Sequence, residues 1–401
     1  MARLHAVWGL GAVAMLTLAC SGGDDVSGTG GAGTGGSSGT MSGAGSGGGS
    51  AARGGTGGRS GMGGGSGTAG SARGGSSGSS GANGGRSGAG ASTGGSAGRG
   101  GSSGSSGTSG TSSGDPTQVG GCDLFPANDD WNTDVSGAGV DTEWTARLMN
   151  MVGNVRLHPD YGGDASALYG IPIDVVPADQ PPLAVTFDYD DESDPGPYPF
   201  RGPGAAKIEG GTATDCDGDC HVLVVQESTC MLYEGWNCHY ESDWHCGSGA
   251  KWNLNEIAYG QRPKGWTSAD AAGLPIAPGI VRYDEVRAGA IRHAIRFTVD
   301  CTRDNFVKPG SHAASTCDDA DAPPMGLRIR MKSSFDISGL SPSARVVATA
   351  MKTYGMILAD NGSNFYFQGE AHLGWTEDDI EPLKDIPASA FEVIDVPPLE
   401  N

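Results

Sequence analysis

The sequence predicts a mainly β domain, a single sandwich or distorted barrel with two or three peripheral helices, stapled by disulfides. Three observations predict it. Apolar residues recur in short runs, several of them alternating with polar residues as in a half-buried strand. Proline- and glycine-rich connectors separate the runs at 177–182, 195–204 and 260–280. Eight cysteines share the same part of the chain: Cys122, Cys216, Cys220, Cys230, Cys238, Cys246, Cys301 and Cys317.

The elements follow in order. Asp141 caps a short helix in which Trp144, Leu148 and Met151 recur at helical spacing, and Gly153 ends it. Leu183–Asp188, His221–Gln226 and Thr229–Glu234 are short β-type runs, the last two joined as a hairpin through Glu227 and Ser228. Ala290–Val299 is the clearest strand. Ile291, His293, Ile295 and Phe297 face one way; Arg292, Ala294, Arg296 and Thr298 face the other. Leu327–Lys332 repeats that pattern with Arg328 and Arg330. Ser341 as N-cap and Pro342 at the first helical position open a helix striped by Val346, Val347, Ala350, Met351 and Tyr354. Met356–Ala359 and Phe365–Gln368 are strands about a turn at Asp360-Asn361-Gly362. Thr376–Lys384 is a short acidic helix, and Phe391–Val396 a closing strand.

Upstream the composition changes character. Arg3 and His5 precede an apolar run from Val7 to Ala19, too short for the roughly 20 residues that a bilayer span needs. Leu16, Thr17, Leu18 and Ala19 then lead into Cys20. This resembles a bacterial lipoprotein signal. The resemblance implies that residues 1–19 are removed and that Cys20 is lipidated and holds the protein on a membrane. An ordinary cleaved signal peptide is the alternative, and either one exports the chain. Residues 20–114 follow as a tether of Gly, Ser, Ala and Thr, with almost nothing to bury against the entropy of ordering. As a flexible coil it spans on the order of 50–60 Å. Matches to GxGxxG or GxSxG inside it are accidents of composition, lacking a strand–turn–helix context.

Residues 115–401 therefore make the folded part, long enough for a substantial core. Of 46 acidic and 25 basic side chains, the first 114 residues hold two Asp and six Arg, leaving 44 and 19. Such a surface repels nucleic acid, anionic headgroups and polyanionic glycans, and suits neutral or cationic partners. An even cysteine count in an exported chain points to up to four disulfides. Sequence proximity favours Cys216–Cys220 and Cys301–Cys317, and Cys230 with Cys238 or Cys246. The spacings do not form a CxxC pair set, which argues against zinc–thiolate.

Five stretches, NDDWNTDVSG (128–137), LHPDYG (157–162), DESDPGPYPF (191–200), GWTSADAAGLPIAPGIVRYDEV (265–286) and ADNGSNFY (359–366), resemble signatures of a family of uncharacterised secreted bacterial proteins. The resemblance covers essentially the whole folded part. It implies a single domain in an extracellular setting and carries no catalytic assignment.

Four readings compete for the site. Asp284 and Glu285, just ahead of the strongest strand, and Asp360, in a tight turn, are the candidate catalytic carboxylates. A glycosidase needs one protonated and one ionised carboxyl, roughly 5–5.5 Å apart for retention or 6.5–9.5 Å for inversion. Trp236, Trp244, Trp252 and Tyr283 are the candidate platforms for a sugar ring, whose apolar face stacks on an aromatic one. His221, His293 and Asp219 would suit a transition metal; His158, Asp160 and His312 are further loop candidates. The acids of 188–194 would suit calcium. Asp215, Asp217 and Asp219 have the opening spacing of an EF-hand loop, but Cys220 and Gln226 stand where Gly and Glu belong. The expectation is a surface lipoprotein acting on neutral polysaccharide with paired carboxylates. The alternatives are a non-catalytic glycan-binding module and a metal-dependent enzyme.

Overall fold

Two four-stranded sheets carry most of the fold. The computed structural model describes residues 115, 117–164 and 167–401; the signal peptide expected over 1–19 and the lipidated Cys20 and tether expected over 20–114 lie outside the described residues. The first sheet runs in the order Ser248–Asn253, Met231–Trp236, Val222–Gln226, Ile173–Val176, antiparallel except for the last, parallel pair. The second runs Ile295–Val299, Met356–Asn361, Arg328–Met331, Phe391–Val393. A three-stranded sheet of His239–Tyr240, Trp244–Cys246 and Val185–Phe187 adds a further layer. Tyr366–Gln368 pairs in parallel with His158–Asp160. Among the described residues no sheet closes on itself, so the barrel alternative is not realised there; these residues are mainly β with four α-helices.

Burial explains the patterns. Leu223, Leu232 and Trp252 of the first sheet belong to one contiguous core with Ile295, Phe297, Ile329 and Leu358 of the second. Val222 and Val224, on the opposite face, pack with Val185, Tyr198, Phe200 and Trp244. A strand covered on both sides reads as a continuous apolar run, as Val222–Val225 does. The predicted hairpin is present, with Val222 opposite Gly235 and Gln226 opposite Met231.

The two helices with predicted caps keep them. Helix α1, Thr142–Val152, starts with the Asp141 carboxylate accepting from the Trp144 amide. Helix α2, Tyr283–Ala288, lies where the sequence had suggested only the approach to a strand. Helix α3, Pro342–Thr353, is capped by Ser341 and buries Val347, Ala350 and Met351. Helix α4, Glu377–Ile380, is one turn with a Thr376/Asp379 capping box, and continues as 3-10 helix to Asp385. The predicted strand 290–299 is shorter, Ile295–Val299, and all five residues are buried. Residues 290–294 leave the sheet: Ala294 donates its amide to the carbonyl of Trp131, and the His293 ring bonds to Glu285.

Cys216–Cys220 and Cys301–Cys317 are bonded as expected, but Cys230 joins Cys122, and Cys238 joins Cys246. Proximity along the chain misled because the Cys122–Cys230 bridge closes a separation of 108 residues. It fastens the first segment of the domain to the first sheet.

One buried acid does structural work between the sheet and the 260–280 connector. Glu234 is wholly buried and accepts from the amides of Ile276 (3.0 Å) and Ala277 (2.9 Å) and from Trp252 Nε1 (3.1 Å). Burial pushes its carboxyl up to about 7, against the pull of those donors. Glu234→Ala strands three donors in a dry interior, with an expected cost of about 2–4 kcal/mol. Glu234→Gln keeps an acceptor and costs less. Urea midpoints measure both; an equal loss for the two variants would refute this role.

Candidate active site

Arg296 sits in the middle of a core strand with only 2% of its side chain exposed. A guanidinium taken out of water persists only where its donors are met. Its Nε and Nη2 donate to Asp270 (3.1 and 2.7 Å), its Nη1 to Gln368 Oε1 (2.7 Å), and its Nη2 also to Asp360 Oδ2 (3.3 Å). Asp270 is fully enclosed; Asp360 keeps 23% of its side chain exposed.

A bulge places Asp360. In the parallel pairing of 295–299 with 356–361, Phe297 opposes Leu358 but Thr298 opposes Asp360. The extra residue, Ala359, shifts the alternation. Arg296 and Thr298 share a face, and paired residues of neighbouring strands point the same way, so Asp360 comes round to the side of Arg296. Without the bulge Ala359 would stand there. Asp270 arrives from the 260–280 connector, held by a turn in which its amide donates to Ser268 Oγ (2.9 Å) and Ser268 Oγ donates to its carbonyl (3.0 Å).

More ionisable groups surround this centre. His221, buried, hydrogen-bonds through Nδ1 to Glu209 (2.5 Å) and through Nε2 to the carbonyl of Ala269 (3.2 Å), the residue before Asp270. Burial opposes its charge, but the Glu209 carboxylate overrides it and pushes the imidazole up to about 9, so it is cationic at neutral pH. Asp219, exposed, hangs from the loop that Cys216–Cys220 ties off, beside Trp236 Nε1 (3.4 Å). Its charge is felt by His221, Asp360 and Asp160. Asp160 pairs across strands with Gln368, the partner of Arg296.

Five carboxylates thus gather round two cations. Burial first, and then the charge of Asp270, push Asp360 up to about 7, against the attraction of Arg296. Burial likewise raises Asp270 and Asp160. The result is a partly exposed carboxyl, Asp360, that exchanges its proton near neutral pH, within reach of the charge of the exposed Asp219. That is the equipment of general acid–base chemistry.

Of the sequence candidates, Asp360, Asp219, Asp160, His221 and Trp236 gather round this centre. The others go elsewhere. Asp284 lies exposed on helix α2, while Glu285 is buried, paired with Arg282 (2.7 Å) and His293 (3.0 Å). A helix sends consecutive side chains in different directions, so these neighbours do not form a pair. His293 spends its other nitrogen on the carbonyl of Ala294 (2.8 Å), and neither ring nitrogen of His221 or His293 is free. Trp244 and Trp252 are core residues with no face open to a sugar. Tyr283 is stacked on His372 (3.9 Å) and covered by Arg287. In the proposed calcium loop, Asp188 is engaged by His245 and Asp194 by Arg262. Among the described residues, the one group of three or more ligand-type atoms within 4.8 Å of one another is Cys216, Cys220 and His239, whose two sulfurs are already bonded together.

Sequence reasoning missed Asp270, Arg296, Glu209 and Gln368. The one available signal was Arg296 itself: a cation between Ile295 and Phe297 in a strand closed by apolar residues demands buried acids. Compared with known protein families, curated proteins and solved structures, the chain matches none.

Proposed function

We propose that residues 115–401 are a glycoside hydrolase for neutral polysaccharide, displayed on a bacterial surface by the lipid on Cys20 and the tether. Asp360 is the proton donor to the leaving oxygen, and Asp219, exposed beside Trp236, is the base or nucleophile. The observation that carries this reading is the Asp270–Arg296–Asp360 arrangement. Burial and then the neighbouring Asp270 charge raise Asp360, the more accessible acid, to about 7 against the pull of Arg296, so it can give up a proton near neutral pH. Trp236 supplies a partly open aromatic face where a sugar ring can stack. The two sheets that share a core serve as the layers of a sandwich, the rigid support that such a site needs.

The test is product analysis. The full-length oxidised chain, incubated with β-1,4-glucan, β-1,3-glucan, xylan and mannan, should release oligosaccharides carrying one added water, unaffected by chelator. Retention of the protein on a glycan without new chain ends would replace hydrolysis by binding alone. Products abolished by chelator would transfer the chemistry to a bound metal.

A further inference from the structure

A separate cleft opens beside Asp160. It holds about 600 Å³ and its lining includes His158, Asp160, Tyr161, Tyr169, Glu377 and Lys384. That volume is in the range of a small-ligand site. Asp160 belongs both to this wall and to the charge cluster, because it feels Glu209, Asp219 and Arg296.

The lining is specific in chemistry. Tyr169 is 60% exposed, unusual for so large a ring. The His158 ring is stacked on Tyr366 at 3.9 Å, which fixes its orientation, and burial holds the imidazole below its ordinary range, keeping it neutral. A neutral imidazole both donates and accepts. Tyr161 is 4% exposed, and its hydroxyl is enclosed without a hydrogen-bond partner. Lys384 is engaged by Glu381 at 2.6 Å, so the cleft presents no free cation to an anionic ligand.

We propose that this cleft is a saccharide subsite. It holds a neutral sugar unit of the chain cleaved at Asp360, with Tyr169 against the ring face and Asp160, Glu377 and His158 on its hydroxyls. It rests on the hydrolase reading for its place in catalysis, but binding can be measured without turnover. Exposed ring, neutral imidazole and carboxylates are the mixed surface that a polyol satisfies and that an apolar or anionic ligand does not.

Calorimetric titration of the full-length chain with cellohexaose, laminarihexaose, xylohexaose and mannohexaose tests it. At least one should bind, Tyr169→Ala should weaken that binding about tenfold, and Tyr169→Phe should restore it. In the hydrolase assay the same Ala variant should raise KM with kcat within about twofold, the mark of lost ground-state binding. Binding of none of the four, or equal binding by Tyr169→Ala, overturns the subsite. Turnover that ignores Tyr169→Ala removes the subsite and leaves the hydrolase standing. Tyr169-dependent binding with no products removes the hydrolase and leaves the subsite.

Discussion

Asp360→Asn should lower kcat by about 10²–10⁴-fold, the range for loss of a general acid, while leaving the protein folded. Folding should survive because Arg296 keeps both bonds to Asp270 and its bond to Gln368. The pH profile separates a catalytic role from a structural one. A general acid must be protonated, and Asp360 is held up to about 7, so wild-type turnover should decline as pH rises through that value. The variant's residual activity should lack that limb. Asp219→Asn should also lose turnover yet retain the limb, since the acid is untouched. Wild-type kcat in Asp360→Asn, or an unchanged alkaline limb, would remove Asp360 from the mechanism.

Arg296→Met should destabilise the domain by about 3–5 kcal/mol at neutral pH. The substitution leaves Asp270 fully enclosed and Asp360 largely so, both without their cation. The cost should shrink in acid. Both carboxyls have folded-state values above the ordinary carboxylate range, so the folded chain binds protons that the unfolded chain releases. Their contribution to stability is present below about pH 4 and is lost as pH rises toward 7. Removing Arg296 therefore matters least where both acids are already neutral. Adding Asp270→Leu to Arg296→Met should recover much of the loss, since an apolar pair of similar volume often equals a buried ion pair. Urea unfolding at pH 4.5 and 7.5 measures all of this. A loss below about 1 kcal/mol at pH 7.5 would mean that Arg296 is not compensating these charges.

Local signals were legible wherever the physics is local. The Asp141 and Ser341 caps, the Val222–Trp236 hairpin and the Cys216–Cys220 bridge each depend on residues a few positions apart, and each was readable. The site was legible only in fragments. Asp360, Asp219, His221 and Trp236 were each singled out, but as members of different constellations. Trp244 and Trp252 read as exposed because their neighbours are polar; Val185, Tyr198 and Trp131, far along the chain, take part in the cores that bury them. Glu285 read as a catalytic acid because His293, which engages it, was assigned to a strand, and its pairing with Arg282 depends on the helix that the sequence did not suggest.

The sequence by itself determined the mainly β character of residues 115–401, the number of half-cystines available for bonding and the acidic balance, because composition and short-range periodicity carry them. The tertiary structure alone decided which acid is raised. Asp270, Arg296 and Asp360 are separated by 26 and 64 positions, and only the bulge at Ala359 and the Ser268 turn bring them onto one face. A carboxyl's proton affinity follows from its burial and from the charges within a few ångströms, and neither quantity exists until the chain has folded.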